Sequence, residues 1–194
     1  MKKLGDFAEV IVGQIMSRVT MVSSEDKKTV KVLIPKAISA GCIDDDAITE
    51  EEVSIKTDET RFTKEGDVVI KLATPYEGAL IDSEHVGLLI PSFCAIIRVG
   101  DKKKSVDKSF LCAALNSNYV REQIKRKVAG AKMPMIKVSD LRSIELPDVE
   151  LEEMKAIGKE YLLSCRKRLL LKKLEENEKS IMDARIMNCL CEEK

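Results

Sequence analysis

The strongest constraint on the fold is the segment 151–192, which contains no proline and a single glycine, Gly158. Leucine, glutamate and lysine dominate it, and all three favour helix. As one helix it would be about 60 Å long. All sixteen valines, five prolines, four phenylalanines and seven threonines precede residue 150, and β-branched and aromatic residues favour strands. We therefore predict an α+β chain, with a strand-rich domain at 1–149 and a long helix within 150–194.

The long helix carries a 4-3 repeat typical of a helix that pairs with another helix. The repeat, which we call the seam, runs through Leu163, Lys167, Leu170, Leu174, Asn177, Ile181, Ala184, Asn188 and Cys191. One alternative is a helix that docks along its own domain. A helix this long leaves its distal half without a partner in a monomer, so we predict pairing with a second chain, in which a seam asparagine would set the register.

The first 149 residues show short apolar runs bounded by turn residues, a pattern that predicts strands. These runs cover residues 7–15, 29–34, 67–72, 78–81, 86–90 and 93–99. A helix is predicted from Asp107, a residue that can cap its N-terminus. The segment 116–118 should interrupt it, before a second helix continues to Gly130.

The charge of the chain is balanced in total but not locally. There are 33 basic and 33 acidic residues. Residues 43–59 carry eight acids against one lysine, whereas 100–142 carry eleven bases against four acids. Local fields steer a polyanion to a surface, so zero net charge does not exclude DNA. The acidic run at 44–52 would repel DNA, and we interpret it as a solvated loop or as a surface for a basic partner.

Metal binding and catalysis find little support in the residues. The single histidine, His85, has no second histidine at ligand spacing, and Cys189 and Cys191 are too close together for a zinc loop. We predict that His85 lies at the surface or at a strand edge. A magnesium nuclease could be built from Asp82 with Asp101 and Lys102, but such spacing arises readily in a chain that is 34% charged. No nucleotide-binding glycine motif is present, and we predict no cofactor and no enzymatic activity.

The six cysteines form no CxxC pair. No apolar run approaches the roughly 20 residues that are needed to span a bilayer. The N-terminus lacks the apolar segment of a signal peptide. We therefore predict a cytoplasmic protein with reduced thiols and no membrane association.

A series of motifs, each weak alone, follows one order along the chain. The series comprises Leu4-Gly5-Asp6 with Ile11-Val12-Gly13, the segment 34–43 with its proline and Gly41-Cys42-Ile43, Gly66-Asp67-Val68-Val69-Ile70 with Gly78, Phe110-Leu111 with Leu115-Asn116-Ser117, Gly130-Ala131-Lys132, and Ile144-Glu145-Leu146-Pro147 before the long helix. This order resembles a target recognition domain, followed by its conserved helix, from the DNA-specificity (S) subunit of type I restriction–modification enzymes.

The resemblance implies a non-catalytic protein that reads a DNA sequence for a methyltransferase subunit and, in some assemblies, a restriction translocase. Most members carry two recognition domains and two helices, whereas this chain resembles one half. If it acts as the family does, two half-subunits pair through antiparallel helices. A homodimer would read two identical half-sites in inverted order; a second, different half-subunit is the other possible partner.

We expect basic residues on the recognition loops and the neighbouring helix to contact double-stranded DNA. The candidates are Lys36, Lys71, Arg121, Lys125, Arg126, Lys127, Lys132 and Lys137. Lys132 is the strongest, because it follows Gly130 in a loop that begins with glycine. Each could instead be a solvated surface charge, and the cluster Lys102-Lys103-Lys104 could be a solvated turn.

An alternative function is an orphan helical-dimer scaffold that binds protein partners and has lost DNA recognition. The acidic segment 43–59 and the unusual sequence after Pro147 favour it. Salt dependence distinguishes the two functions, because a protein that contacts several phosphates loses DNA affinity steeply as salt rises.

Overall fold

The protein is mixed helix and sheet, with a strand-rich region followed by one long helix. A computed structural model describes residues 1–21, 26–100 and 106–191. Within these ranges the strands are β1 (Lys2–Lys3), β2 (Ala8–Val12), β3 (Lys27–Val32), β4 (Ile38–Ser39), β5 (Cys42–Ile43), β6 (Thr49–Ser54), β7 (Val68–Lys71), β8 (Gly78–Leu80), β9 (Cys94–Val99) and β10 (Glu145–Leu146). The helices are α1 (Leu4–Phe7), α2 (Ser17–Thr20), α3 (Lys108–Asn116), α4 (Asn118–Val128), α5 (Val138–Arg142) and α6 (Leu151–Cys191). The α+β prediction is confirmed.

The main sheet has four antiparallel strands in the order β2-β9-β7-β8. Its central strands are buried on both faces, because their side chains alternate between two cores. Val68 and Ile70 of β7 enter one core and Val69 enters the other. Helices α3 and α4 cover the first face with Leu111, Leu115, Val120 and Ile124. Burial on both faces explains why these strands read as continuous apolar runs.

The acidic segment is only partly the solvated loop that we expected, because residues 49–52 belong to strand β6, although Glu50, Glu51 and Glu52 remain exposed there. Strand β6 contains Glu50, Glu51 and Glu52 and pairs with the lysine-rich β3. Lys27 Nζ lies 3.1 Å from a carboxylate oxygen of Glu52. Glu52 therefore has a basic partner on another strand of the same chain, and opposite charges across an antiparallel pair stabilise the ladder.

Residues 86–90 do not form the strand that their apolar character predicts. Leu89 makes only isolated bridges, to Val32 and to Phe62. The segment turns at Gly87, which has φ +81°, and Leu88, Leu89 and Ile90 are buried. It is apolar because it crosses the core, not because it pairs along its length.

The predicted interruption between α3 and α4 is confirmed, as is the cap on α3. The Asp107 carboxylate accepts a hydrogen bond from the Phe110 N–H at 2.9 Å. Ser117 ends α3 and caps α4, where its hydroxyl accepts from the Val120 N–H. Each side chain satisfies a backbone donor that the helix itself leaves unpaired.

Helix α6 is continuous over 41 residues, and its N-terminal part packs on the strand-rich region. Met154, Gly158 and Cys165 are buried there. A β-carbon on Gly158 would lie 2.5 Å from the Phe110 nitrogen of α3, so only glycine permits this approach. From Leu174 to Cys191 every residue is exposed. The helix therefore combines a docked part with a distal part that has no partner within the chain.

In the part of the chain that the structure describes, no helix is both long and apolar enough to cross a membrane.

We predict that Gly158→Ala destabilises the protein, although alanine is the better helix former. The added methyl would overlap the α3 backbone and Ser109, and overpacking a tight contact costs about 1–3 kcal/mol. Urea unfolding of wild type and variant measures the change. Ala156→Gly, at an exposed position of the same helix, is the control and should cost only about 1 kcal/mol of helix propensity. A Gly158→Ala variant more stable than wild type would contradict the close approach.

Candidate nucleic-acid interface

Four chain segments meet at one edge of the strand-rich region and are joined by backbone hydrogen bonds. The Ser92 N–H donates to the Gln14 carbonyl at 2.8 Å, and the Leu72 N–H donates to the Phe93 carbonyl at 2.9 Å. The Ile136 N–H in turn donates to the Leu72 carbonyl at 2.8 Å. We call this surface the recognition edge; it comprises residues 14–18, 72–77, 91–93 and 131–137.

The loop that begins at Gly130 is fixed to the recognition edge at three points. Besides the Ile136 bond, Met135 forms an antiparallel bridge with Ala73. The Tyr76 hydroxyl donates to the Pro134 carbonyl at 2.6 Å, and the Tyr76 side chain is buried. The loop therefore presents its exposed residues, Lys132 and Met133, from a defined backbone.

Three of the eight basic candidates belong to the recognition edge or adjoin it. Lys132 and Lys137 are exposed. Lys71 directly precedes Leu72, but its side chain is only 13% exposed and its Nζ lies 2.9 Å from a Glu77 carboxylate oxygen. The charge of Lys71 is thus compensated within the domain, whereas those of Lys132 and Lys137 face solvent.

Four further candidates lie on α4, the helix that leads into the loop. Lys125 pairs with Glu122 at 2.7 Å, and Lys127 donates to the Ser143 hydroxyl at 2.8 Å. Arg126 is exposed and Arg121 is half-buried. The last turn of α4 therefore carries a group of basic side chains, and this turn directly precedes the loop along the chain.

The remaining candidate, Lys36, is exposed on a 3₁₀ turn at Pro35–Ala37. The Ala37 carbonyl of this turn accepts from the Asp44 N–H, so Lys36 neighbours the acidic segment. The structure does not bring it to the recognition edge. Lys102, Lys103 and Lys104, with the acid of the nuclease hypothesis, Asp101, lie outside the described residues.

Two of the three acids that precede β6 bind the long helix. Lys173 Nζ on α6 lies 3.4 Å from a carboxylate oxygen of Asp44 and 2.9 Å from one of Asp46. The hydrogen bonds that Lys173 donates to the carboxylates of Asp46 and Asp44 raise the pKa of Lys173. These exposed ion pairs are individually weak, but they mark the last point at which α6 meets the rest of the chain.

His85 is buried, and the prediction of a surface or strand-edge position is wrong. Its Nδ1 lies 2.6 Å from an Asp82 oxygen and its Nε2 lies 2.8 Å from an Asp45 oxygen. Burial lowers the pKa of His85, but the hydrogen bonds and charges of Asp45 and Asp82 outweigh burial and raise it above its usual value. The ring thus joins two 3₁₀ turns, at Ser83–His85 and Asp45–Ala47.

Among the residues that the structure describes, no group of three or more histidine, cysteine or acidic side chains could hold a metal ion. Cys94 and Cys112 are buried, and burial raises the pKa of each thiol to about 12. Cys189 and Cys191 are exposed at the end of α6.

The sequence analysis missed the apolar and amide members of the recognition edge. Phe93 and Met133 are 57% and 72% exposed, and Gln14 is half-buried beside Ser92. One signal was available: Phe93 directly follows the turn sequence Pro91-Ser92 and is the first residue of the apolar run 93–99. Exposure itself depends on tertiary structure and leaves no such signal.

The fold defines the class as a strand-rich domain that carries a long, partly docked helix. Over 130 residues the chain is 30% identical to the type I restriction enzyme MjaVIII specificity subunit of Methanocaldococcus jannaschii, a match that covers 66% of this chain and 30% of that protein. No family model matches the chain.

Solved structures agree with this class. The fold matches the HsdS subunit from Thermoanaerobacter tengcongensis, with a TM-score of 0.61 and 17% identity over 92% of this chain and 45% of the other. A chain from a structural study of assembly and conformational transition of the type I R-M system matches over the same shares, with a TM-score of 0.62 and 17% identity. The M. genitalium type I S subunit matches over 92% of this chain and 42% of its own, with a TM-score of 0.54 and 16% identity.

These comparisons confirm the resemblance to type I specificity subunits, in sequence over the matched residues and in fold over nearly the whole chain. The chain spans less than half the length of each of these three solved chains and 30% of the MjaVIII subunit.

We predict that His85 stabilises the protein more at low pH than at high pH. A histidine whose pKa is raised by folding contributes stability that is complete below its unfolded pKa of about 6.5 and is lost as pH rises through its folded pKa. The free energy of unfolding of wild type minus that of His85→Gln should therefore be larger at pH 5.5 than at pH 8.5. Urea titrations at both pH values measure it; an equal difference at both would contradict the pairing with Asp45 and Asp82.

Proposed function

We propose that this chain is a half-length DNA-specificity subunit that reads a sequence in double-stranded DNA. In this proposal residues 1–149 form the target recognition domain, and 150–194 form the helix that pairs and spaces two copies. The protein itself is non-catalytic and acts in the cytoplasm, where it delivers a methyltransferase subunit, and in some assemblies a restriction translocase, to its site. The similarity to the MjaVIII specificity subunit carries the proposal, and the recognition edge supplies a surface for it.

The recognition edge has the chemistry that a sequence reader needs. Lys132 and Lys137 are exposed and can bind phosphates, which supply affinity and salt dependence. Gln14 and the exposed apolar residues can meet base edges, which supply sequence information. Because the loop is hydrogen-bonded at several points, little conformational entropy is lost when it binds.

The alternative of a protein-binding scaffold depends mainly on the acidic segment. Glu52 pairs with β3, Asp44 and Asp46 pair with α6, and Asp45 pairs with His85. Much of this charge is thus engaged within the chain. The structure therefore gives less support than the sequence alone to the idea that this acidic segment binds a separate protein partner.

An exposed apolar stripe along α6 supports pairing between two copies. Leu163, Leu170, Leu174 and Ile181 form one apolar stripe along the seam, and all are exposed. A second copy in the antiparallel orientation would cover both stripes and place the two recognition domains at opposite ends of the helix pair. Such a dimer would match two inverted half-sites, because the symmetry of the site mirrors that of the protein.

The DNA proposal is tested by enrichment from a random-sequence duplex pool at about 100 mM salt. We expect two identical half-sites in inverted order at fixed spacing. A protein with 6–10 phosphate contacts should lose about 10³–10⁵ in affinity for the enriched duplex between 50 and 200 mM salt. If no sequence is enriched by the chain alone or with a methyltransferase subunit, and the chain shows no salt-dependent DNA binding, the scaffold alternative replaces the proposal.

We predict that Lys132→Glu weakens binding to the enriched duplex at least about tenfold, because it removes one cationic contact and adds a repelling charge. Lys56→Glu makes the same charge change at an exposed residue outside the recognition edge and is the control. Fluorescence anisotropy with labelled duplex measures both. Equal affinities of the two variants would remove Lys132 from the interface.

We predict that Leu174→Glu converts the dimer to a monomer, because it places a carboxylate in the proposed helix–helix seam. Ile186→Glu is the matched control, since the two side chains are 55% and 50% exposed but Ile186 lies on the side of the helix opposite the neighbouring seam residues Ala184 and Asn188. Sedimentation equilibrium of the three proteins measures the mass. A wild-type monomer, or a dimer that survives Leu174→Glu, would contradict pairing through this stripe.

A further inference from the structure

Phe93 differs from the other phenylalanines of the chain in its surroundings. Phe7 and Phe110 are each 7% exposed, and Phe62 is half-buried, with the Lys28 Nζ 5.2 Å from its ring centroid. Phe93 exposes more than half of its surface. The residue that follows it, Cys94, is completely buried at the start of β9. The Phe93 ring therefore lies at the surface, next to the point where the chain enters the core, and only a small part of the ring packs against core residues.

The backbone around Phe93 is nevertheless held firmly. The Phe93 carbonyl accepts from Leu72, the preceding N–H of Ser92 donates to Gln14, and the following N–H of Cys94 donates to the Pro91 carbonyl at 2.9 Å. An exposed aromatic ring on a fixed backbone has few rotamers to lose when it binds. Rigid aromatic side chains of this kind make effective contacts with a partner.

A second large apolar side chain belongs to the same edge. Met133 precedes Pro134, which Tyr76 holds, and the Met133 carbonyl accepts from the Met135 N–H at 2.8 Å. Through Leu72 the backbones of the Phe93 turn and of this loop are linked by two consecutive hydrogen bonds. Lys132 lies directly before Met133 and is exposed. Apolar side chains and cations therefore share one surface.

This combination suits the major groove of DNA, which offers phosphates at its rims and one apolar group, the 5-methyl of thymine, on its floor. Resting on the DNA-reading function proposed above, we propose that Phe93 and Met133 bind thymine methyl groups and so make thymine a preferred base in each half-site. Burial of one methyl is worth about 0.8 kcal/mol, which corresponds to a roughly fourfold gain in affinity.

Deoxyuridine in place of thymine tests this inference, because it removes the methyl and leaves every hydrogen-bonding group of the base. The duplex is the one enriched from the random pool, with each half-site thymine replaced in turn. Wild type should bind at least one substituted duplex roughly fourfold more weakly. Phe93→Ala should bind the thymine duplex more weakly and lose the discrimination at that position, and Met133→Ala should lose it at the same or a neighbouring thymine.

Val86→Ala is the matched control, since Val86 is a similarly exposed apolar residue outside the recognition edge. It should keep the wild-type ratio between thymine and deoxyuridine duplexes, and a thermal melt should show each variant to be folded. Equal wild-type affinity for both duplexes, or a half-site without thymine, would overturn the inference. A Phe93→Ala variant that binds weakly but discriminates like wild type would overturn it too, since the ring would then act by stacking or wedging. Failure of the DNA-reading proposal is a different result, namely no sequence-specific binding by wild type.

Discussion

The close contact between the long helix and the strand-rich region is the constraint on which the rest of the structure depends. At Gly158 the backbones of α6 and α3 approach so closely that a β-carbon would lie 2.5 Å from the Phe110 nitrogen. Tyr161 and Cys165 lie one to two turns beyond Gly158 on α6, and they pack against Gly41, which has φ +87° and no side chain to obstruct them. A helix docked along this length has a defined direction relative to the recognition domain. In the proposed function its exposed distal part acts as a spacer, because the docked part fixes the direction in which the helix leaves the domain.

The recognition edge depends on a second constraint, a continuous series of backbone hydrogen bonds through four segments distant in sequence. Gln14 bonds to Ser92, Phe93 to Leu72, and Leu72 to Ile136. The edge can therefore carry exposed side chains, including apolar ones, without losing its shape. In the proposed function, the hydrogen-bonded backbone supplies rigidity, and the side chains at the edge read the DNA sequence. Backbone atoms hold the edge together and side-chain atoms contact the DNA, so the exposed side chains can be substituted without disrupting the fold.

The sequence predicts the parts of this fold that depend on local chemistry. The absence of proline predicts α6 almost to its ends, and Asp107 predicts the start of α3. Strand β6 escaped prediction because three consecutive glutamates disfavour a strand in isolation, and pairing with the lysines of β3 overrides that preference. His85 escaped because its burial depends on two aspartates, one of them forty residues away in the chain. Lys132 was proposed from its place after Gly130, whereas Phe93 was missed, since exposure is set by tertiary contacts.

The central claim is that two copies pair through antiparallel helices and hold two recognition domains apart. Double electron–electron resonance tests it directly, with one nitroxide on Cys189, which is exposed and outside the seam, in a Cys42→Ser, Cys191→Ser background. Antiparallel pairing centred on Asn177 places the two labels about 35 Å apart, because each lies twelve residues from the centre at ~1.5 Å per residue. A parallel pair would bring the labels close together, within the ~10 Å spacing of packed helices plus the label arms. That short distance, or no dipolar signal at all, would contradict the account.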